Sequence, residues 1–204
     1  GNISGVTTLT LASIGGTSTV SGDVDVTTLA VDNTVADIVF TGNGSTITNA
    51  ISFANDGALT LGASGGGTLT FNGGLTTTSV GSTVTLQGTI ATSNDAVVLG
   101  AVTIGGATTI DTNASSNAAD ITVAAITGGS QNLTLSTGDN IAGADVTASG
   151  AISGLGNLTL ADVGGTATFS NNVAAAALSA ANTVANITFT GSTNTFSGAA
   201  SFTN

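Results

Sequence analysis

The chain is 204 residues long, 41% of them hydrophobic, with a formal charge of −11 that comes from eleven Asp and no Lys, Arg or His. Enough apolar surface is present for an ordered fold, but Cys, Met, Trp, Tyr and Pro are missing as well. Without His, Cys, Lys or Tyr there is no general base near neutrality, no thiolate, no Schiff-base amine and no Ser–His arrangement.

An enzyme is therefore not expected, and no residue is nominated as catalytic, cofactor-binding or metal-binding. With no cation to meet phosphate, nucleic acid is not an expected partner, nor is an anionic lipid surface. The longest apolar run, Val173 to Leu178, is far short of the 18 or so residues of a membrane-spanning helix, so no membrane insertion is expected. The chain starts at Gly1 and has no Met, and is expected to be a window of a longer repetitive protein.

One small pattern recurs along the chain, an apolar residue, then Thr, then another apolar residue. It appears at Leu9-Thr10-Leu11, Leu59-Thr60-Leu61, Leu69-Thr70-Phe71, Val84-Thr85-Leu86, Val102-Thr103-Ile104, Ile121-Thr122-Val123, Leu133-Thr134-Leu135, Leu158-Thr159-Leu160 and Ile187-Thr188-Phe189. Alternation of period two sends successive side chains to opposite faces of a strand. Each triplet predicts a short strand with its aliphatics inward and its Thr outward, and Thr and β-branched residues suit such a half-buried surface. The glycine pairs and triples at 15–16, 65–67, 73–74, 105–106, 128–129 and 164–165 are predicted to be corners between strands. The Ala-rich stretch Ala174 to Ala181 has small and polar residues around it and is read as a strand of small residues, not a helix.

Residues 1–55 recur as residues 150–204, an offset of 149 without insertion or deletion. GNISGVTTLTLASIGGTSTVSGDV lies over GAISGLGNLTLADVGGTATFSNNV, and NTVADIVFTGNGSTITNAISFAN over NTVANITFTGSTNTFSGAASFTN. Repetition of this kind marks an array protein. Strands recur at intervals of roughly ten residues, so two or three per turn make coils of roughly twenty to thirty residues, about eight coils in the chain and five to seven per 149-residue unit. The expected architecture is all-β, a β-solenoid forming one continuous rod over residues 1–204, with 1–149 as a first unit and 150–204 as the start of a second. Tandem immunoglobulin-like sandwiches are the runner-up. They run nearer 80 to 100 residues per repeat with linkers between them, and no linker is visible here.

The run from Asp95 through DAVVLGAVTIGGATTIDTNASSNAADITVAAITGGSQNLTLSTGDNIAGADVTASGAISGLGNLTLADVGGTATFSNNV, with its NLTL, GGTA and DNIAGADVTA elements, resembles the repetitive shafts of filamentous-haemagglutinin-like and autotransporter-type giant adhesins of bacteria. The resemblance extends over essentially the whole chain and is one of style. It implies a right-handed parallel β-helix exported to the cell surface, an extracellular location, and a role as a structural fibre or adhesin shaft. The expected partners are further copies or adjacent repeats, stacked end to end or packed laterally. The competing readings are a carbohydrate- or surface-binding adhesive module, for which no Trp or Tyr exists to stack a sugar, an ice-binding solenoid, and, most remotely, a polysaccharide-cleaving enzyme with an Asp–Asp pair.

No cofactor is expected. Structural calcium is the alternative reading of the acidic cluster Asp23, Asp25, Asp32 and Asp37, against the reading of solvated turn residues; its counterparts one unit later are Asn172, Ala174, Ala181 and Asn186, and calcium wants six to eight oxygens. Regular T-x-T ranks, which an ice-binding face would need, are sporadic. Asn-x-Ser/Thr at Asn2, Asn43, Asn113, Asn132, Asn157 and Asn186 is as frequent as this composition supplies by chance. The seven Phe residues, with Phe40 over Phe189 and Phe53 over Phe202 across the repeat, are expected in the core.

Overall fold

A computed structural model describes residues 1–204, and all its regular structure is β: twenty strands, each paired in parallel with strands about one coil away in sequence. The chain winds into a β-solenoid of about 10 turns. At the usual strand spacing of ~4.8 Å this is a rod roughly 45 Å long. The expectation of about eight coils is thus low, because several coils close in fewer residues than the triplet spacing suggested.

Each turn has three strand positions. The first face stacks Ser18, Ile38, Leu59, Val84, Val102, Ile126, Ile152 and Val173. The second stacks Ser45, Leu69, Ile90, Ile110, Leu135, Leu160, Ala180 and Phe202. The third stacks Ile51, Leu75, Val97, Ile121, Val146, Ala167 and Ile187, and the steps along this column run from 20 to 25 residues. All nine apolar-Thr-apolar triplets lie in strands, including the Ala-rich segment's neighbour at Leu158–Leu160, and the Ala-rich segment itself is the strand Val173–Ala180. The triplet Thr side chains do not form one ladder. They are distributed over all three faces, with Thr60, Thr85 and Thr103 on the first, Thr70, Thr134 and Thr159 on the second and Thr122 and Thr188 on the third.

The inward columns meet on the axis as one apolar cluster of 42 buried residues running the length of the rod. Parallel strands covered on their inner face and turned by tight corners leave no room for a helix. Phe40, Phe53, Phe71 and Phe169 are fully buried within the cluster, with Phe53 meeting Phe71 edge-on at 6.2 Å and Phe169 stacked on Phe189 at 5.0 Å. Phe202 is 51% exposed, the exception to the expected core placement, its strand Ala200–Phe202 being paired on one side, with Leu178–Ala180.

Most of the predicted glycine corners separate strands as expected. Gly105–Gly106 does not: it lies inside the longest strand, Val97–Ala114, which bends there from the first to the second face, its pairing resuming at Thr108. Its neighbour strand Val84–Ala91 takes the same bend with a register shift between Leu86 and Gly88.

The long repeat is out of step with the coils. Following the first-face column from Ser18 through Ile38, Leu59, Val84, Val102 and Ile126 to Ile152 takes six turns. The chain then crosses the second face at Leu158–Leu160 before reaching Thr166–Phe169 on the third. Ala167 is the repeat counterpart of Ser18, so one 149-residue unit winds six and two-thirds turns. Local pairing is nonetheless the same in both copies: Ile3 pairs Val24 as Ile152 pairs Val173, and Asp25 pairs Thr46 as Ala174 pairs Thr195. Identical local registers are compatible with a rotated placement because all three faces offer the same parallel ladder.

Candidate interaction surface

Every face presents an outward column between its inward aliphatics, made of hydroxyl residues except at Val98 on the third face. On the second face it runs Thr68, Thr89, Thr109, Thr134, Thr159, Ser179 and Ser201. On the first it runs Thr60, Thr85, Thr103, Thr127 and Ser153, and on the third Ser52, Thr76, Val98, Thr122, Thr147, Thr168 and Thr188. Each is a single file. Outward T-x-T ranks such as Thr68/Thr70 and Thr166/Thr168 are not repeated from coil to coil, so no face carries the two-column Thr lattice that ice recognition needs.

The corners are built from Asp and Asn. A carboxylate or amide oxygen just ahead of a strand accepts the N–H at the matching point of the next coil: Asp37 Oδ1 from Ala58 N at 2.8 Å, Asp120 Oδ1 from Asp145 N at 2.9 Å, Asp145 Oδ1 from Thr166 N at 2.7 Å and Asn132 Oδ1 from Asn157 N at 2.9 Å. The ladder's first donor is thereby satisfied where the chain turns.

The four residues of the acidic cluster have different duties. Asp23 exchanges hydrogen bonds with Asn2 across one coil, Asp25 stands on a strand beside Thr46, and Asp37 caps Ala58. Asp32, at a third corner, accepts the Thr34 hydroxyl and, at 2.8 Å, the Thr34 N–H. These two bonds, the hydroxyl's first and the backbone's second, hold its carboxyl below the ordinary Asp value. Asp23 and Asp25 flank inward Val24 on one face while Asp32 and Asp37 stand at other corners, and no three carboxylates of the chain are grouped as a cation site.

The Asn of the Asn-x-Ser/Thr sites serve the corners too. Asn2 Nδ2 donates to Asp23 and Asn113 Nδ2 to the Thr92 carbonyl at 2.9 Å, while Asn43 Oδ1 accepts from Thr68 N.

A second set of polar residues is buried, and reading every strand Thr as outward misses it. Thr92, Thr112 and Thr137 stack inside one corner. The Thr92 hydroxyl donates to the Asp95 carbonyl and toward that of Thr112 at 3.2 Å; the Thr112 hydroxyl donates to Ala119 O at 2.8 Å and toward Thr137 O at 3.2 Å; the Thr137 hydroxyl donates to Asp162 O at 2.8 Å. The signal was in the parity: each Thr lies two residues beyond an inward aliphatic, Ile90, Ile110 or Leu135, and so points inward. Beside them Ala114, Ala119 and Ala144 form a small apolar cluster under the corner loops 115–120 and 139–145. Asn55 is another internal knot, its Nδ2 within 3.1 Å of the carbonyls of Ala36, Gly57 and Ala58 while its Oδ1 is buried without a partner.

Two shallow grooves occupy equivalent places in the two units. One is flanked by Gly5, Val6, Asp25, Val26, Thr27, Thr46 and Thr48, the other by Gly154, Leu155, Ala174, Ala175, Ala176, Thr195 and Ser197, matched at the 149 offset, with Thr7 added to the first and Ser130 to the second. Both arise from a bulge at Ile3–Val6 and Ile152–Leu155, where Gly5 and Gly154 take φ of 73° and 65°. The shape recurs but its chemistry does not, since Asp25 and Thr27 become Ala174 and Ala176.

No protein-family model matches the chain, and neither does any curated protein or solved structure.

Proposed function

We propose that this chain is a shaft segment of a secreted bacterial surface fibre or adhesin, and that its work is mechanical. The observation that carries the reading is the set of three parallel ladders over about 10 turns, capped at several corners by Asp and Asn. Pulling along the rod, or a protease working at one coil, meets backbone hydrogen bonds on three sides of each turn, and a loosened coil is held by both neighbours. A hydroxyl-covered, cation-free exterior keeps such a rod soluble, and its carboxylates oppose side-by-side collapse unless cations screen them.

The extracellular location and bacterial origin follow from the resemblance to adhesin shafts, and the composition is compatible with both. Absence of Cys costs the rod nothing, because its coils are joined by ladders instead of crosslinks.

Immunogold labelling of intact cells that make the protein, compared with broken cells, tests the location, with negative-stain images testing the form. Label on intact cells along thin projections is the expected result. Label found only after cell breakage overturns the surface-fibre reading.

A further inference from the structure

We propose that the chain modifies itself at one corner: the Gly73 backbone nitrogen attacks the Asn72 side chain, the amide group is lost, and a carboxylate replaces it. The proposal is independent of the shaft reading, since it concerns a corner in the middle of the rod with coils on both sides.

Asn followed by Gly occurs twice, at Asn43-Gly44 and Asn72-Gly73, and Asp followed by Gly once, at Asp56-Gly57. Asn is a labile residue, most of all before glycine, which has no side chain to shield its backbone nitrogen from the preceding side-chain carbonyl. The nitrogen attacks only when its N–H is not held in a hydrogen bond, so the ladders decide which pair reacts. The Gly44 N–H donates to the Thr68 carbonyl at 2.9 Å and the Gly57 N–H to that of Ala36 at 3.1 Å. The Gly73 N–H has no acceptor, although its neighbours are bonded, Asn72 N to Ile47 O at 2.8 Å and Gly74 N to Phe71 O at 2.9 Å. The side chains repeat the contrast: nothing holds the Asn72 amide, while Asn43 Oδ1 accepts the Thr68 N–H at 3.3 Å. Asn72 and Gly73 are both half-buried, so water reaches the corner.

Packing keeps the reactive pair in place. A Cβ at residue 73 would lie 2.3 Å from the Ala50 nitrogen and 2.7 Å from the Asn49 carbonyl carbon of the adjacent coil, so glycine is required there. The close approach that lets these two coils stack also leaves the attacking nitrogen bare.

The step balances with water as its only co-reactant. The Gly73 nitrogen forms a bond to Asn72 Cγ, its proton leaves with the side-chain amino group as ammonia, and a cyclic imide results. Water then opens the imide at either of its carbonyls, giving Asp at position 72 or an isoaspartyl link with a methylene added to the main chain. Either product makes the chain one charge more negative than −11. The first adds a corner carboxylate of the kind that Asp37, Asp120 and Asp145 supply elsewhere. The second stretches the turn that the Gly74 N–H closes on the Phe71 carbonyl.

The folded chain is held in warm, mildly alkaline buffer, sampled over days, digested with pepsin and followed by peptide mass spectrometry. Pepsin suits a chain that offers trypsin no Lys or Arg, and its acid buffer stops the reaction. Peptides containing Asn72 are expected to show the amide-to-acid mass gain about tenfold faster than those containing Asn43, because the Gly44 nitrogen is released only when its coil opens. In urea that preference is expected to vanish. Equal rates in the folded rod overturn the proposal, as does an Asn72 that stays intact when folded and converts in urea. A preference that survives in urea also overturns it, since local sequence and not the ladder would then be its cause. Asn72→Gln, whose longer side chain closes the ring poorly, is expected to abolish the gain in peptides spanning residue 72. A gain that persists in that variant overturns the assignment to Asn72.

Discussion

Thr168 is the repeat counterpart of Thr19, yet the two stand on different faces of the rod: Thr19 belongs to the first-face column that continues through Thr60, Thr85, Thr103 and Thr127 to Ser153, and Thr168 to the third. A unit of six and two-thirds turns hands each surface feature on to another side. Three such units are needed before a feature returns to its starting face, so an array built this way presents every unit-specific patch in three directions.

Spin labels test this directly. Thr19→Cys/Ser153→Cys places labels on one face six turns apart, an expected separation of about 29 Å, whereas Thr19→Cys/Thr168→Cys adds the width of the rod and is expected near 40 Å. Electron–electron dipolar spectroscopy giving equal distances for both pairs would mean that the repeat is in phase with the coils.

Glycine substitutions separate the corners that need glycine from those that merely contain it. Gly62 has φ of 86°, and a Cβ there would lie 1.8 Å from the Gln87 carbonyl oxygen of the next coil. Gly62→Ala is expected to cost about 2 kcal/mol or more, since the backbone must shift and break ladder bonds. At Gly16 a Cβ meets nothing within 4 Å, and Gly16→Ala is expected to be neutral or to stabilise by up to about 1 kcal/mol through the unfolded chain. Urea unfolding midpoints of the two variants should move in opposite directions or differ widely.

The buried Thr stack makes a third case. Thr112→Val keeps the shape but leaves the carbonyls of Ala119 and Thr137 without their hydroxyl donor. The expected loss is about 1–3 kcal/mol, against less than about 0.5 kcal/mol for Thr109→Val on the outer face. Equal effects at the two positions would mean that the parity argument is wrong.

Salt has an unambiguous sign in a protein with no cationic side chain. All side-chain charges are alike, so there is no side-chain ion pair to weaken, and screening only relieves repulsion. Raising NaCl from low concentration to about 0.5 M shortens the screening length from ~30 Å toward a few ångströms, and the thermal midpoint is expected to rise. A fall would contradict the charge distribution argued here.

Asp32 has its own pH signature. Because the Thr34 hydroxyl and N–H hold its folded-state pKa below the ordinary value, the stability it contributes is fully present above about pH 4, the unfolded carboxyl's range, and is lost as pH falls through the lowered folded value. The gap in unfolding midpoint between wild type and Asp32→Asn is therefore expected at pH 6 and should shrink in acid. A gap that does not change with pH would show that the carboxylate form is not what those bonds select.

Much of the fold was legible in the residues. Alternation at Leu59-Thr60-Leu61 and its relatives announces strands, because a pleated backbone alone sets which side each residue takes. Glycines at 65–67 and 73–74 announce turns, because a positive φ or a close approach excludes other residues. The 149-residue repeat announces an array. Parity even carries the inward Thr112, although the abundance of outward Thr on neighbouring strands hides it.

Other properties needed the wound chain. Asp23 and Asp25 flank inward Val24 on one face, while Asp32 and Asp37 are carried to other corners, since the chain turns between them within a coil of 20 to 25 residues. The phase of the repeat depends on how many residues each corner takes up, and corner lengths are set by packing in the loops, as where Ala114, Ala119 and Ala144 gather. Burial of Phe40 and exposure of Phe202 were equally invisible locally: both occupy core-facing positions of the repeat, and what separates them is whether another coil lies on top. Composition and periodicity thus determined that this protein is a β-rod with no His, Cys, Lys or Tyr, while the stacking of coils decided which surfaces it shows, because an inward position is buried only when the next turn covers it.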